Sequence, residues 1–430
     1  MPHLPHHARS QLQVSLLTKT FLTLGTSVAD PSDLYFGFHL RMRGPSPGLT
    51  ALREKVDHRA HGQPLLTHRL AFQEGHAWWE PDPDFDVTHH VQALTAPGLA
   101  PGPAQALLTA PPDASHPRWG LWLHRTDTED WAITFLAHHA VMDATAMLHT
   151  LQALLGPDAD DMEALPRHRP ARASRRAASL LPLLPDLLAT YLPHVTSPPP
   201  PARWHQRELA HASVDLELLR TTARANGSTL NQVHLAALAG ALRTWGTPNG
   251  YAHRPWWQRG PYVLVPVDTR ATRQGATAIT PRSGNQLGLL RVPLPCGHPD
   301  GTDRLTAITT TAGRRHTARR RSALRTLTEH TPERLASWLL RRLTDPGDVV
   351  LTASHVRAPG LMTVLGAPVI ELTAIPWLPP GHSCFTFLTT HNQTARLSAL
   401  TSAPAQNPQQ LVQQWSNACH ETASSHHSGR

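Results

Sequence analysis

Trp131-Ala132-Ile133-Thr134-Phe135-Leu136-Ala137-His138-His139-Ala140-Val141-Met142-Asp143-Ala144 is the stretch on which the fold turns. Its first seven residues are apolar or β-branched and read as a strand. From Ala144 to Leu155 the apolar residues Met147, Leu148, Leu151 and Leu154 recur at helical spacing. Asp143 stands where a helix N-cap belongs. Two histidines therefore sit at the end of a buried strand, in a tight turn before a helix. A strand end that projects into a cleft is a good place for a reactive side chain.

Upstream, Trp119–His124 predicts a partner strand, joined through the turn-like residues Thr126–Asp130. Asp33–Arg43 and Leu65–Phe72 read as strands, and Leu49–Arg59 as a helix with Leu52 and Val56 inward. Trp78-Trp79-Glu80-Pro81 opens an Asp- and Pro-rich loop. Downstream, composition changes sharply. Residues 166–205 hold the basic run Arg167–Arg176, the proline-broken apolar run Leu180–Val195 and the run Pro198–Pro201, and read as a linker. It separates an N-terminal domain, 1–165, from a C-terminal domain, 206–430. In the second half Arg207–Val214, Tyr262–Val267, Gln286–Val292, Val349–Ala353, Pro368–Ile375, Cys384–Thr390 and Arg396–Leu400 read as strands. Leu216–Ala225, Thr229–Trp245 (capped by Ser228), Leu305–Leu327, Glu333–Leu343 and Pro408–Thr422 read as helices. Helices and strands alternate in both halves, so the class is α/β with two related units.

Composition narrows the function. At 430 residues, 40% hydrophobic and 16% charged, the chain is globular and long enough for two cores. The net charge of +8 favours acidic partners such as a phosphate-bearing cofactor or a carrier protein. Nucleic acid is not expected, because no recognised binding module accompanies the charge. Cys296, Cys384 and Cys419 lie too far apart for a metal motif or a disulfide framework, which suits a reducing, cytoplasmic setting. Val14–Ala29 has some signal-peptide character, but Lys19 and its threonines interrupt the apolar run. No stretch is long and apolar enough to span a membrane. Leu180–Val195 leaves open a peripheral membrane contact, although its prolines favour a packed linker. The basic run Arg314–Arg321 fits either CoA phosphates or a solvated helix face, and the second is the commoner case. No G-x-S-x-G, P-loop or G-x-G-x-x-G occurs, which removes serine hydrolases and nucleotide-binding enzymes.

Four His-His pairs occur: His6-His7, His89-His90, His138-His139 and His426-His427. In a chain with 30 histidines most pairs are bland, terminal or on the surface. The pair at 138–139 differs, because with Asp143 it matches His-His-x-x-x-Asp-Gly. That pattern marks CoA-dependent acyltransferases and peptide-synthetase condensation domains. Further segments match in order. Trp79–Val87 with His90-Val91 resembles W-x-x-D-P-D-F-D-[LV]-x-x-H-[VL], and Pro117–Leu121 resembles P-L-W-E-L. Thr229–Val233 with Leu235–Ala237 is similar to [TV]-N-D-V-V-L-A-A, and Val265–Arg270 to V-P-V-S-x-R. Gly284–Leu287 resembles G-N-x-[VI], Ser354–Pro359 resembles S-N-V-P-G-P, and Leu365–Val369 resembles L-A-G-A-x-V. Together they cover roughly residues 35–420 and resemble the bacterial wax ester synthase/diacylglycerol acyltransferase family.

The resemblance implies two chloramphenicol-acetyltransferase-like α/β domains in a pseudo-dimer, with an active-site tunnel between them. His139 carries over as general base, with the near-neutral pKa of an ordinary histidine. His138 carries over as a packing or positioning neighbour, and Asp143 as half of a structural ion pair with Arg270. Asn231, Asn285 and Ser354 map to the tunnel, and Trp119 to a structural or pocket-lining position. The donor would be a CoA or phosphopantetheine thioester, from acyl-CoA or an acidic acyl carrier protein, and the acceptor a small-molecule alcohol or amine. No covalent intermediate, permanent cofactor or metal is implied, and a monomer is expected.

The sequence departs from the family at Ala144 (for Gly), Gln232 (for an acidic residue), His355 (for Asn) and Arg357-Ala358-Pro359 (for P-G-P). The changes leave the base intact and point to an ester or amide of a specialised metabolite. Two other readings stand beside this one. The first is a wax ester or triacylglycerol synthase using long-chain acyl-CoA with fatty alcohol or diacylglycerol. The second is a catalytically silent, carrier-binding scaffold.

Overall fold

A computed structural model describes residues 12–26, 31–73, 76–94, 115–125, 130–157, 207–245, 261–270, 284–311, 333–358, 362–402 and 407–424. The linker 166–205, the basic run Arg314–Arg321, His6-His7, His426-His427 and Trp256-Trp257 lie outside them. The chain clusters into two units, and the division is not a single cut. Unit 1 comprises Met1–Arg172, Arg270–Gln286 and Pro359–Leu372, and unit 2 comprises Ala173–Thr269, Leu287–Ala358 and Thr373–Arg430. Two segments of the second half thus belong with the first unit.

In unit 1 the strands are β1 (Leu12–Gln13), β2 (Tyr35–Arg43), β3 (His68–Gln73), β4 (His76–Pro81), β5 (Val91–Leu94), β6 (Trp119–Arg125) and β7 (Asp130–His138). Its helices are α1 (Leu16–Gly25), α2 (Leu49–Ala60), α3 (Pro64–Thr67), α4 (Val87–His90) and α5 (Ala144–Leu155). The central sheet has β7 between β2 and β6, both antiparallel to it, with β5 parallel at the far edge. The register pairs Tyr35 with His138 and Phe38 with Phe135. Phe36, Phe38, Leu40, Ile133, Phe135, Leu121 and Leu123 are all under 2% exposed. Strand alternation puts them on one sheet face, and α2 packs against α5 with Leu52 and Val56 fully buried.

Two local expectations change here. Pro64 at the first helical position turns residues 64–67 into a short helix, so the strand expected from Leu65 begins at His68. Trp78–Pro81 is a strand rather than a loop, because β4 pairs with both β3 and β1.

Unit 2 holds β8 (Glu208–Asp215), β9 (Tyr262–Asp268), β10 (Leu287–Pro293), β11 (Leu351–Arg357), β12 (Thr363–Val364), β13 (Ala367–Ile375), β14 (Cys384–His391) and β15 (Thr394–Thr401), apart from β12 and the first part of β13. Its six-stranded sheet runs β10-β9-β11-β14-β15-β8. The parallel pairs β9/β11 and β11/β14 are flanked by antiparallel ones. The helices are α6 (Leu216–Ala225), α7 (Leu230–Leu242), α8 (Gly301–Thr311), α9 (Glu333–Leu343) and α10 (Pro408–Ser424). β11 starts two residues later than expected, at Leu351. Of the helix expected over Leu305–Leu327, the described part is α8.

The core of unit 2 lies under α7 and α10, which pack together. There the buried Trp415 donates its Nε1–H to His234 Nδ1 at 3.1 Å. The N-cap of α7 is Thr229, one residue beyond the expected Ser228. Thr229 Oγ1 accepts from the Gln232 amide, and Gln232 Oε1 accepts from the Thr229 amide at 2.7 Å. This capping box explains why a neutral glutamine can stand where the family pattern has an acid, since only an acceptor oxygen is required. Ser228 instead donates to the Ala223 carbonyl at 3.3 Å.

Among the described residues no helix is long and apolar enough to cross a membrane, and no group of three or more His, Cys, Asp or Glu is placed to hold a metal ion. Thr229→Ala removes one half of the box and should lower unfolding stability by about 0.5–2 kcal/mol in urea titration, with an unchanged m-value.

Candidate active site

The site grows from the end of β7. After His138 the strand stops, and the backbone folds through Ala140 and Val141 into α5. Val141 N donates to the His138 carbonyl at 2.9 Å, closing the turn. His139 N donates to the Leu34 carbonyl at 2.8 Å, and His138 N to the Arg118 carbonyl at 3.0 Å, so the residues that lead into β2 and β6 hold the pair. Ala140 N donates to His138 Nδ1 at 3.0 Å. That fixes Nδ1 of His138 as an acceptor, while its ring meets Tyr35 edge-on. His138 thus shapes the turn.

The His139 ring lies between two phenylalanines. Phe36 on β2 stacks on it at a centroid distance of 4.6 Å, and Phe21 on α1 at 4.0 Å and 20°. Sequence reasoning missed Phe21, having read its segment as a weak signal-like run. Ser15 starts a helix there by accepting from the Thr18 amide, and Ser/Thr before an apolar run was the readable signal. Thr18 Oγ1 also donates to the Ala140 carbonyl at 2.9 Å.

Asp143 caps α5 through Oδ1, which accepts from Ala146 N at 3.0 Å. Its other oxygen accepts from Arg270 at 2.9 Å and from the Gln286 amide at 2.7 Å. Arg270 also donates to the Gly284 carbonyl at 2.7 Å. Gly284 has φ +116°, a conformation that favours glycine. Next along the chain, Asn285 Nδ2 donates to the His139 carbonyl at 2.6 Å and to the Ala140 carbonyl at 3.2 Å. Ala144, the replacement for the family glycine, is the first residue of α5 and is not among the positive-φ residues, so its methyl is unstrained.

Trp119 is fully buried, stacks on His90 at 4.5 Å and donates to the Leu66 carbonyl at 2.8 Å. Of its two expected roles, the packing one matches this burial. His90, expected to be bland, is 3% exposed and bonds the Trp119 carbonyl at 2.9 Å. Asn231, half-buried in the first turn of α7, and Ser354, buried on β11, belong to unit 2.

Electrostatically the site favours a neutral imidazole. Burial drives the His139 pKa down to about 4. A hydrogen bond to its own backbone, the Asp143 charge and Asn285 oppose the shift and lose to desolvation. The expectation of an ordinary near-neutral pKa is thereby corrected. His138 is driven to about 3, by burial first and then by the charges of Arg118 and His139. Elsewhere burial pushes His124 and His355 to about 4 and His234 to about 3.

Two tests follow. Asp143→Ala removes the cap and strands the Arg270 guanidinium, whose side chain is 10% exposed; it should lower stability by about 3–5 kcal/mol, whereas Asp143→Asn, which keeps a capping oxygen, should lose less. The buried histidines are neutral when folded but take up protons near pH 6.5 when unfolded. The folded state binds fewer protons below that pH, so the thermal midpoint should fall as pH drops from 6.5 toward about 4. Scanning calorimetry across that window measures it, and a flat midpoint would contradict burial of neutral imidazoles.

Comparison with known proteins agrees with the geometry. The family model "Wax ester synthase/diacylglycerol acyltransferase catalytic domain" matches residues 34–197, and the "WS/DGAT C-terminal domain" model matches residues 283–422. A putative diacylglycerol O-acyltransferase of Mycobacterium tuberculosis is 27% identical over 371 residues, 74% of each chain. The wax ester synthase/diacylglycerol acyltransferase of Marinobacter aquaeolei superposes with a TM-score of 0.65 at 18% identity, over 97% of this chain and 100% of that one. The starter condensation domain of rhizomide synthetase, solved as a mutant with C8-CoA and Leu-SNAC, superposes with a TM-score of 0.65 at 14% identity, over 98% and 95% of the two chains. The expected α/β fold of the acyltransferase and condensation-domain superfamily is therefore the observed one. The chain belongs to the wax ester synthase/diacylglycerol acyltransferase family and is an acyltransferase.

Proposed function

We propose that this enzyme moves an acyl group from a CoA thioester to a hydroxyl acceptor, with His139 as the general base. The carrying observation is a buried imidazole, neutral at pH 7, on a turn tied down by Asp143, Arg270 and Asn285. The acceptor O–H gives its proton to the imidazole as oxygen attacks the thioester carbonyl. The C–S bond then breaks, and the imidazolium returns the proton to the thiolate. The products are an ester and a free thiol. The imidazolium exists only in passing, with the Asp143 charge and the two aromatic faces on its side. A ring that is neutral at pH 7 is in the form that can accept the proton.

The donor assignment draws on the condensation domain solved with C8-CoA, and the oxygen acceptor on the O-acyltransferase name of the mycobacterial relative. A carrier-protein phosphopantetheine presents the same sulfur and is the alternative donor. Two of the departures that suggested a specialised acceptor are structural accommodations: Ala144 begins a helix and Gln232 completes a capping box. His355, half-buried on β11, and Arg357-Ala358-Pro359 still support an ester or amide of a specialised metabolite as the second reading.

His139→Ala should lower kcat by about 10²–10⁴-fold while the thermal midpoint holds; unchanged turnover would favour the silent-scaffold reading. Thiol release from long-chain acyl-CoA with a fatty alcohol or diacylglycerol separates the acceptors. Rapid turnover supports the lipid ester, and turnover confined to a smaller alcohol or amine supports the specialised one.

A further inference from the structure

We infer that α1 is a working part of the active site and that Phe21 is a positioning residue for the His139 imidazole. The inference rests on His139 being the base. The helix lies ahead of residue 34, where the match to the family model begins.

Three observations carry it. First, Phe21 and Phe36 face the imidazole from opposite structural elements, at 4.0 Å and 20° and at 4.6 Å and 27°. Two near-parallel rings fix the plane of the third, so its nitrogens are reached only along the ring edge. Without Phe21 one face is bare and the ring can tip about χ2, a soft torsion. Second, one helical turn before Phe21, Thr18 donates to the Ala140 carbonyl, which also accepts from Asn285. The same helix thus grips both the base's ring and its turn. Third, α1 is itself anchored. β1 pairs with β4 through Leu12 with Trp79 and Gln13 with Trp78, and Ser15 caps the helix.

Phe21, 5% exposed, also helps to keep water from the imidazole. Among the described residues, Asp143 and His138, from the turn and the strand end, act electrostatically on that ring. The helix brings Thr18 and Phe21 to the site, the β2 strand Phe36 and the 284–286 loop Asn285, all uncharged. An aromatic face is worth more to the passing imidazolium than to the neutral ring. Phe21 therefore acts on turnover more than on substrate binding.

The test uses Phe21→Leu and Phe21→Tyr in the full-length chain, beside His139→Ala. Turnover is followed by thiol release from an acyl-CoA, and the His139 ring by NMR, assigned by its absence in His139→Ala. Phe21→Leu keeps the bulk and loses the π face; kcat should fall about ten-fold with KM within about two-fold. Its His139 ring protons should lose the part of the ring-current shift that Phe21 contributes, and Phe21→Tyr should restore kcat and that part. Should Phe21→Leu unfold, Phe21→Met provides the same comparison. Wild-type kcat in the leucine variant beside an inactive His139→Ala would overturn the positioning role alone, as would failure of tyrosine to rescue. A fully active His139→Ala would overturn the base assignment, and the positioning role with it.

Discussion

One carboxylate holds the site together. Asp143 accepts three hydrogen bonds: from the amide of Ala146 at the start of α5, from Gln286 N and from Arg270. The last two come from residues about 130–140 positions downstream, on a segment that belongs with the first unit. A carboxylate so buried is unfavourable unless its oxygens are satisfied, and here both are. The net stabilisation from such a pair can be small. Its consequence is specificity, because removing either partner strands a buried charge. Asn285 lies between the two segment residues that bond Asp143 and Arg270, and so is delivered to the His139 carbonyl.

The character of His139 as the proposed base follows from what surrounds that knot. Asp143 is charged and close enough to raise the histidine's pKa, yet burial outweighs it and the value settles at about 4. The carboxylate's lone pairs are committed to Arg270 and backbone amides, so its charge is partly neutralised before it reaches the imidazole. The aspartate's work is geometric, and its electrostatic help is minor in the resting state. Neutrality at rest and stabilisation of the passing imidazolium come from one enclosure, in which phenylalanine faces exclude water and tolerate a cation.

Much of this was legible in the sequence where one strong local pattern decided the matter. The alternation through Trp131–Ala137, the i, i+3, i+4 spacing after Asp143 and the Asp143–Arg270 pairing all read directly or through the family resemblance. What could not be read depended on chain segments far apart. Nothing local announces that Phe21 lies on His139, or that Asn285 reaches its carbonyl. His90 looked like a surface histidine because its burial depends on Phe85 and Trp119, which only the fold brings together. The histidine's pKa was misjudged for the same reason, since desolvation is a property of the enclosure. Short-range errors had local causes: Pro64 opened a helix where apolar spacing suggested a strand, and strand pairing turned Trp78–Pro81 from loop to β4.

The proposed base is a buried histidine, neutral throughout the physiological range. The pH dependence of kcat/KM at limiting acyl-CoA tests it most directly. A neutral, buried base gives a plateau that continues below pH 6.5, with an acid limb toward about 4 that is absent from the residual activity of His139→Ala. An acid limb centred near 6.5, the value of an exposed imidazole, would contradict it.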